Sequence, residues 1–154
     1  MSRAFVREPE NDTVDLPDRP VFPYPNFVTE AGRVAIENAL SRFEAAYKAA
    51  IAKGDQRAAA ADLREVRYWR KRLASAEVVK ASENAIHVRF GTRVTIRRED
   101  GREQTFRIVG EDEANPSLGT VSHASPLARA VTGRAVGEIV EIARRKAVIL
   151  SVSS

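Results

Sequence analysis

Residues 90–142 read FGTRVTIRREDGREQTFRIVGEDEANPSLGTVSHASPLARAVTGRAVGEIVEI. Within them Val94 and Ile96 alternate with Arg93, Thr95 and Arg97, the period of a strand with one buried face. Ile86, Val88 and Phe90 alternate with His87 and Arg89 just upstream, which predicts another strand. Asp100-Gly101 is a hairpin signal, and Phe106, Ile108 and Val109 carry the returning strand. Asn115, Pro116 and Ser117 mark a loop before a strand over 118–123. Ser125-Pro126 then opens a short helix, serine as its cap and proline at its first position, and Gly133 ends it. Strands over 138–142 and 147–152 complete a compact β-rich module with one short helix.

Upstream of residue 82 the period changes from two to about 3.6. A helix is expected to begin at Thr29, whose hydroxyl can cap the first turn, with Glu30 favourable at the positive end of the dipole. Ile36, Leu40, Phe43, Tyr47 and Ala50 recur at spacings of three and four, a seam on one helix face. Lys53-Gly54 closes that helix and Asp55 can cap the next. The second seam runs Ala59, Leu63, Val66, Trp69/Arg70, Leu73 and Ala76. Two such helices with a tight turn between them are expected to pack as an antiparallel coiled-coil hairpin on the order of 30–37 Å long.

The predicted fold is therefore α+β, with a Pro-rich extended or disordered lead-in over 1–28, a hairpin over 29–81 and the β-rich domain over 82–154. The lead-in holds five of the seven prolines, a density that blocks regular hydrogen bonding. Phe22, Tyr24 and Phe27 are expected to tack it to the body. The chain has no cysteine, which excludes disulfides and thiolate metal sites, and it lacks an apolar run long enough to span a bilayer or form a signal peptide. A cytoplasmic protein without membrane association is expected. Residues 29–81 carry eleven basic and seven acidic side chains, so the positive excess sits on the hairpin. An acidic partner is favoured there, although a solvated helix face reads the same way.

The phrases FRIVG-x-DE and SP-x-AR, together with the TEAGRVAIE helix start, resemble the GreA/GreB transcription elongation factor family over about residues 29–154. The resemblance implies an FKBP-like C-terminal domain. It also implies a monomer that binds bacterial RNA polymerase at the rim of its secondary channel. Ser125, Pro126, Leu127, Ala128 and Arg129 match the docking segment residue by residue. Ala124 stands where family members place an aspartate or asparagine, which removes a hydrogen-bonding side chain.

In the family the hairpin tip carries two carboxylates three residues apart. They help hold a Mg²⁺ in the polymerase active site, so that the polymerase cuts backtracked RNA. A hard cation in phosphodiester hydrolysis needs such oxygen ligands, delivered accurately. Here the expected tip is Lys53, Gly54, Asp55 and Arg57, and Ala58 stands three residues after Asp55 in place of glutamate. Asp62 and Glu65 reproduce a family tip phrase, but Asp62 lies seven residues past Asp55, roughly 10 Å down the stem. They are read as stem charges. Weak or absent cleavage stimulation is thus expected, with the protein acting as a modulator or competitor. The alternative is an active factor using Asp55 or the Asp62/Glu65 pair.

Arg64, Arg67 and Lys71 form an i, i+3, i+7 stripe on the second helix. The resemblance implies a contact with nascent RNA, while contact with polymerase loops and simple solvation stay open. Trp69 is expected to pack rather than stack on a base. His87 and His123 have no acidic partner at ligand spacing, and no glycine-rich phosphate loop or nucleophile elbow is present. No catalytic residue and no cofactor of its own are expected. A prolyl isomerase or chaperone-like module is the remote alternative, since after residue 85 only Phe90 and Phe106 could line an aromatic pocket. A general basic nucleic-acid binder is the other.

Overall fold

The structure, a computed structural model of the chain, describes residues 15–154. The part of the predicted lead-in over 1–14 lies outside the described residues. Residues 15–26 have no helix or strand, and the chain then enters a short strand, β1 (Phe27–Val28). Helix α1 (Glu30–Lys53) follows, capped by the Thr29 hydroxyl, which accepts from the Gly32 amide at 2.9 Å. Gly54, at φ 70°, terminates it in the left-handed conformation that glycine adopts at least cost. Asp55 caps α2 (Gln56–Ser75), its carboxylate accepting from the Ala58 amide at 3.1 Å.

Both predicted helix starts and the tight turn are therefore present, and the two helices run back antiparallel. By their lengths they extend about 36 Å and 30 Å. Ile36, Ala50, Ala59 and Val66 are buried, and Leu40, Phe43, Tyr47, Leu63 and Leu73 are half-buried, so the seams face each other as read. Arg70 is the exception: it is exposed and reaches Glu44 of α1 at 3.0 Å. The second helix stops at Ser75, short of the predicted hairpin limit at 81. There β2 (Glu77–Val78) pairs in parallel with β1, tying the foot of α2 to the entrance of α1.

The C-terminal sheet has the order β5-β4-β3-β7-β6, formed by β3 (Arg93–Arg98), β4 (Glu103–Val109), β5 (Thr120–Ser122), β6 (Ile139–Ile142) and β7 (Arg145–Ser153). β4 and β5 are parallel and the other neighbours antiparallel. A single turn of 3₁₀ helix (Pro116–Leu118) shortens the strand expected over 118–123 from its start. Helix α3 (Pro126–Val131) covers the inner face. Val94, Ile96, Phe106, Ile108, Val140, Ala147 and Ile149 close the core with Ala128 and Val131 of α3.

One predicted strand does not form. Around Ile86 and Val88 there is only an isolated bridge between His87 and Ala135. The Thr92 hydroxyl donates to the Arg89 carbonyl and accepts from its amide, and Gly91 takes φ 85°, so the chain turns before a ladder can propagate. Val88 still enters the core, whereas Ile86 stays 73 % exposed.

Candidate functional site

The hairpin is held on the C-terminal sheet by Asp112 and Glu113, two of the three consecutive acids that follow β4 and Gly110. Glu113 takes the entrance of α1: its carboxylate accepts from the Thr29 amide at 3.0 Å, the Thr29 hydroxyl at 2.5 Å and the Gly110 amide at 3.2 Å. A carboxylate against the first turn also suits the positive end of the helix dipole. This requires a close approach, since a Cβ on Gly32 would lie 2.1 Å from a Glu113 carboxylate oxygen. That contact gives the Thr-x-x-Gly helix start a physical reason.

Asp112 takes the other helix near its foot. The Arg72 Nε donates to it at 2.5 Å, and the Tyr68 hydroxyl donates to its other oxygen. Arg72 is 2 % exposed, and its Nη2 donates to the Asn26 side-chain oxygen at 2.7 Å. Asn26 in turn donates to the Arg72 carbonyl at 2.8 Å. Burial, then the hydrogen bond to Asp112, pushes the Tyr68 hydroxyl up to about 12. Glu111, the third acid, accepts from Ser122 at the end of β5. Ser122 also receives the Ala124 amide at 3.1 Å, so the acidic loop is joined to the turn that opens α3.

That turn carries the predicted docking segment. The Ser125 hydroxyl accepts from the Ala128 amide at 3.2 Å, as expected for a cap, and Pro126 occupies the first helical position. Ala128 is fully buried, Leu127 is half-buried against the core, and Pro126 and Arg129 are exposed. Arg129 donates to the Tyr24 hydroxyl at 3.3 Å and lies 5.6 Å from the centre of its ring.

At the far end of the hairpin, Lys53, Gly54, Asp55 and Arg57 are all exposed. Asp55 is engaged in capping α2. Asp62 and Glu65 lie two and three turns into α2 and are half-buried. Glu65 accepts from Arg19 at 2.7 Å and from the Trp69 indole at 3.2 Å, so it is bound to the N-terminal segment. Trp69 packs edge-on against Tyr68, 5.0 Å between ring centres. Among the described residues no group of three His, Cys, Asp or Glu could hold a metal ion.

The basic stripe is covered. Arg67 donates to Asp18 at 2.6 Å and to the Leu16 carbonyl at 3.0 Å, and Lys71 donates to the same Asp18 carboxylate at 2.9 Å. Hydrogen bonds from Lys71 and then Arg67 hold the Asp18 carboxyl below the usual carboxylate range. Arg64 lies one turn nearer the tip, its Nε buried without a hydrogen-bond partner among the described residues. Of the three aromatics expected to tack the lead-in down, Phe27 does so, against Phe90 and His123. Tyr24 meets Arg129 but stays 41 % exposed, and Phe22 is 53 % exposed. The lead-in is instead held by ion pairs, which an apolar reading of the sequence overlooks.

Asn26, Tyr68 and Arg72 were not singled out by sequence reasoning, and Asp112 and Glu113 entered it only as the acidic pair of FRIVG-x-DE, without a role. The available signal was a run of three acids directly after an apolar strand, facing an arginine off the helical seam.

Residues 83–154 match the family model described as "Transcription elongation factor, GreA/GreB, C-term". The transcription elongation factor GreA of Hyphomonas neptunium is 46 % identical over 74 residues, 47 % of this chain and 47 % of that protein. GreA of Thermomicrobium roseum is 42 % identical over 101 residues, 66 % of this chain and 62 % of that protein. The C-terminal half of the chain is thus similar to the C-terminal domain of the GreA/GreB transcription elongation factors. It spans about half the length of most of the curated relatives it matches. The crystal structure of GreA factor homolog 1 (Gfh1) of Thermus thermophilus aligns over 85 % of this chain and 100 % of that chain. Its identity is 17 % and its TM-score 0.41, a likeness too low to carry an argument. Among the described residues no helix is long and apolar enough to cross a membrane.

Proposed function

We propose that the chain is an accessory factor of bacterial RNA polymerase that docks through Ser125, Pro126, Leu127, Ala128 and Arg129 and inserts its hairpin into the secondary channel. In this reading residues 29–81 are the inserted hairpin, residues 82–154 an FKBP-like docking domain, and the factor works as a monomer. The exposed faces of Pro126 and Arg129, on a turn braced by Glu111 and Ser122, support the docking assignment. Any RNA cleavage would be carried out by the polymerase with its own Mg²⁺.

The tip is the observation that carries the rest. It offers one carboxylate, Asp55, which caps its own helix, beside Lys53 and Arg57. Two-metal hydrolysis calls for oxygen ligands on a hard cation, and a lone carboxylate among cations is a poor donor set. Glu65 is bound to Arg19 and Trp69, which speaks against a displaced Asp62/Glu65 pair. The factor therefore occupies the channel without delivering a second ligand, and it modulates transcription or competes with cleavage-competent relatives. The test is RNA cleavage by a backtracked polymerase with Mg²⁺, with this protein alone and then alongside an active GreA. No stimulation alone and inhibition of GreA is the expected pair of results. Strong stimulation that is lost in Asp55→Ala would overturn the tip assignment.

A further inference from the structure

Residues 16–24 form a strap whose polar contacts fall on groups facing outward from the hairpin and the docking turn. Asp18 is bridged by Arg67 and Lys71, one helical turn apart on α2, and Arg67 also binds the Leu16 carbonyl. The next residue, Arg19, pairs with Glu65 and lies 3.7 Å over the Tyr68 ring and 5.8 Å from the Trp69 ring. Five residues on, Tyr24 meets Arg129. A carboxylate held by two cations presents to α2 what a phosphodiester presents, an anionic oxygen pair on a short linker. The neighbouring Arg64 adds a third cation of the stripe.

From this we propose that the strap is an intramolecular occupant of the anion-binding face of α2, and that Asp18 must leave Arg67 and Lys71 before an RNA backbone can bind there. The inference rests on the stripe being the hairpin's RNA face, and not on docking to polymerase. The attachment is suited to exchange. Asp18 is about half exposed, as is Lys71, and exposed ion pairs are weak and screened by salt. The apolar side chains of the strap add little, since Val21 and Phe22 are 41 % and 53 % exposed. Arg67 and Lys71 are thus shielded from weak polyanions and available to one that makes several contacts at once.

The experiment measures binding of a 12-nucleotide single-stranded RNA to the full chain at low salt, without polymerase. Asp18→Asn should bind about threefold to tenfold tighter than wild type, the range for removing a two-point exposed ionic contact with a competing occupant. Asp15→Asn makes the same change of net charge one residue before the strap and should stay within about twofold of wild type. In an Arg67→Ala/Lys71→Ala background, Asp18→Asn should bring no gain. Emission of Trp69, the sole tryptophan, should shift in Asp18→Asn as Arg19 loosens, and should shift in wild type only as RNA is added. Equal effects of Asp18→Asn and Asp15→Asn, or no gain in RNA binding by Asp18→Asn, would overturn the proposal. Because polymerase is absent, a chain that passes this test yet fails to inhibit GreA would refute the channel reading and leave the strap standing.

Discussion

Replacing Arg72 by methionine and Asp112 by asparagine, singly and together, tests whether the hairpin is fastened where the contacts place it. The side chains of Arg72 and Asp112 are 3 % and 8 % exposed, so water cannot take over for either partner once the other is removed. Removing one member of a buried pair typically costs about 3–5 kcal/mol, against about 0–1 kcal/mol for an exposed pair. Arg72→Met leaves the Asp112 carboxylate with only the Tyr68 hydroxyl as a donor, and Asn26 without the Arg72 guanidinium. Asp112→Asn keeps an acceptor for Tyr68 but leaves a buried guanidinium without its counter-charge. Each single change should therefore cost about 3–5 kcal/mol. The double variant buries no unpaired charge, and its cost should fall well below the sum, with a coupling of about 3 kcal/mol or more. Urea unfolding gives all four corners of the cycle, followed by far-ultraviolet dichroism and by Trp69 emission one residue from Tyr68. Additivity to within about 0.5 kcal/mol, or single costs below about 1 kcal/mol, would refute the buried clamp.

Two further outcomes follow from the same region. A Cβ on Gly110 would lie 2.6 Å from the Phe27 carbonyl oxygen, which is backbone and cannot swing away. Gly110→Ala should thus cost about 1–3 kcal/mol or more and lower the melting temperature by several degrees, whereas Gly54→Ala, with nothing within 4 Å, should cost only about 1 kcal/mol for its positive φ. His123 sits 5.2 Å from the Phe27 ring and 5.8 Å from the Phe90 ring, and burial lowers its pKa below the ordinary histidine value. Below that ordinary value, near 6.5, the unfolded chain takes up a proton that the folded chain resists, so stability falls as the pH drops through this range. His123→Phe should flatten the fall between about pH 7.5 and 5.5 in urea midpoints; an unchanged slope would mean that His123 is not its source.

How much of this was legible in the sequence depended on the range of the interaction. Caps act within three residues, and Thr29, Asp55 and Ser125 each cap the helix their position announces. Seams repeat, so a missed position such as Arg70 does not hide the face. The strand expected over 86–90 failed because a turn built on Thr92 and Gly91 overrides a local alternation too short to defend itself. The hairpin between β6 and β7 carried no turn signal at all. Ala143 and Arg144 both take positive φ, 50° and 65°, where glycine or asparagine would normally advertise the bend.

The contacts that hold and cover the hairpin are of another kind, because they join residues 40 to 84 positions apart. Such pairs leave no periodic trace, and an acidic triplet after a strand reads equally well as a solvated loop. Glu111, Asp112 and Glu113 instead divide between the turn that opens α3, the foot of α2 and the entrance of α1. Asp112 and Glu113 therefore fasten the hairpin at its base, at the opposite end from Gly54. The exposed tip residues Lys53 and Arg57 can change without touching that attachment. The attachment of the hairpin and the composition of its tip, Lys53, Gly54, Asp55 and Arg57, thus rest on separate contacts, Asp55 being held by its own helix cap and the base by Asp112 and Glu113.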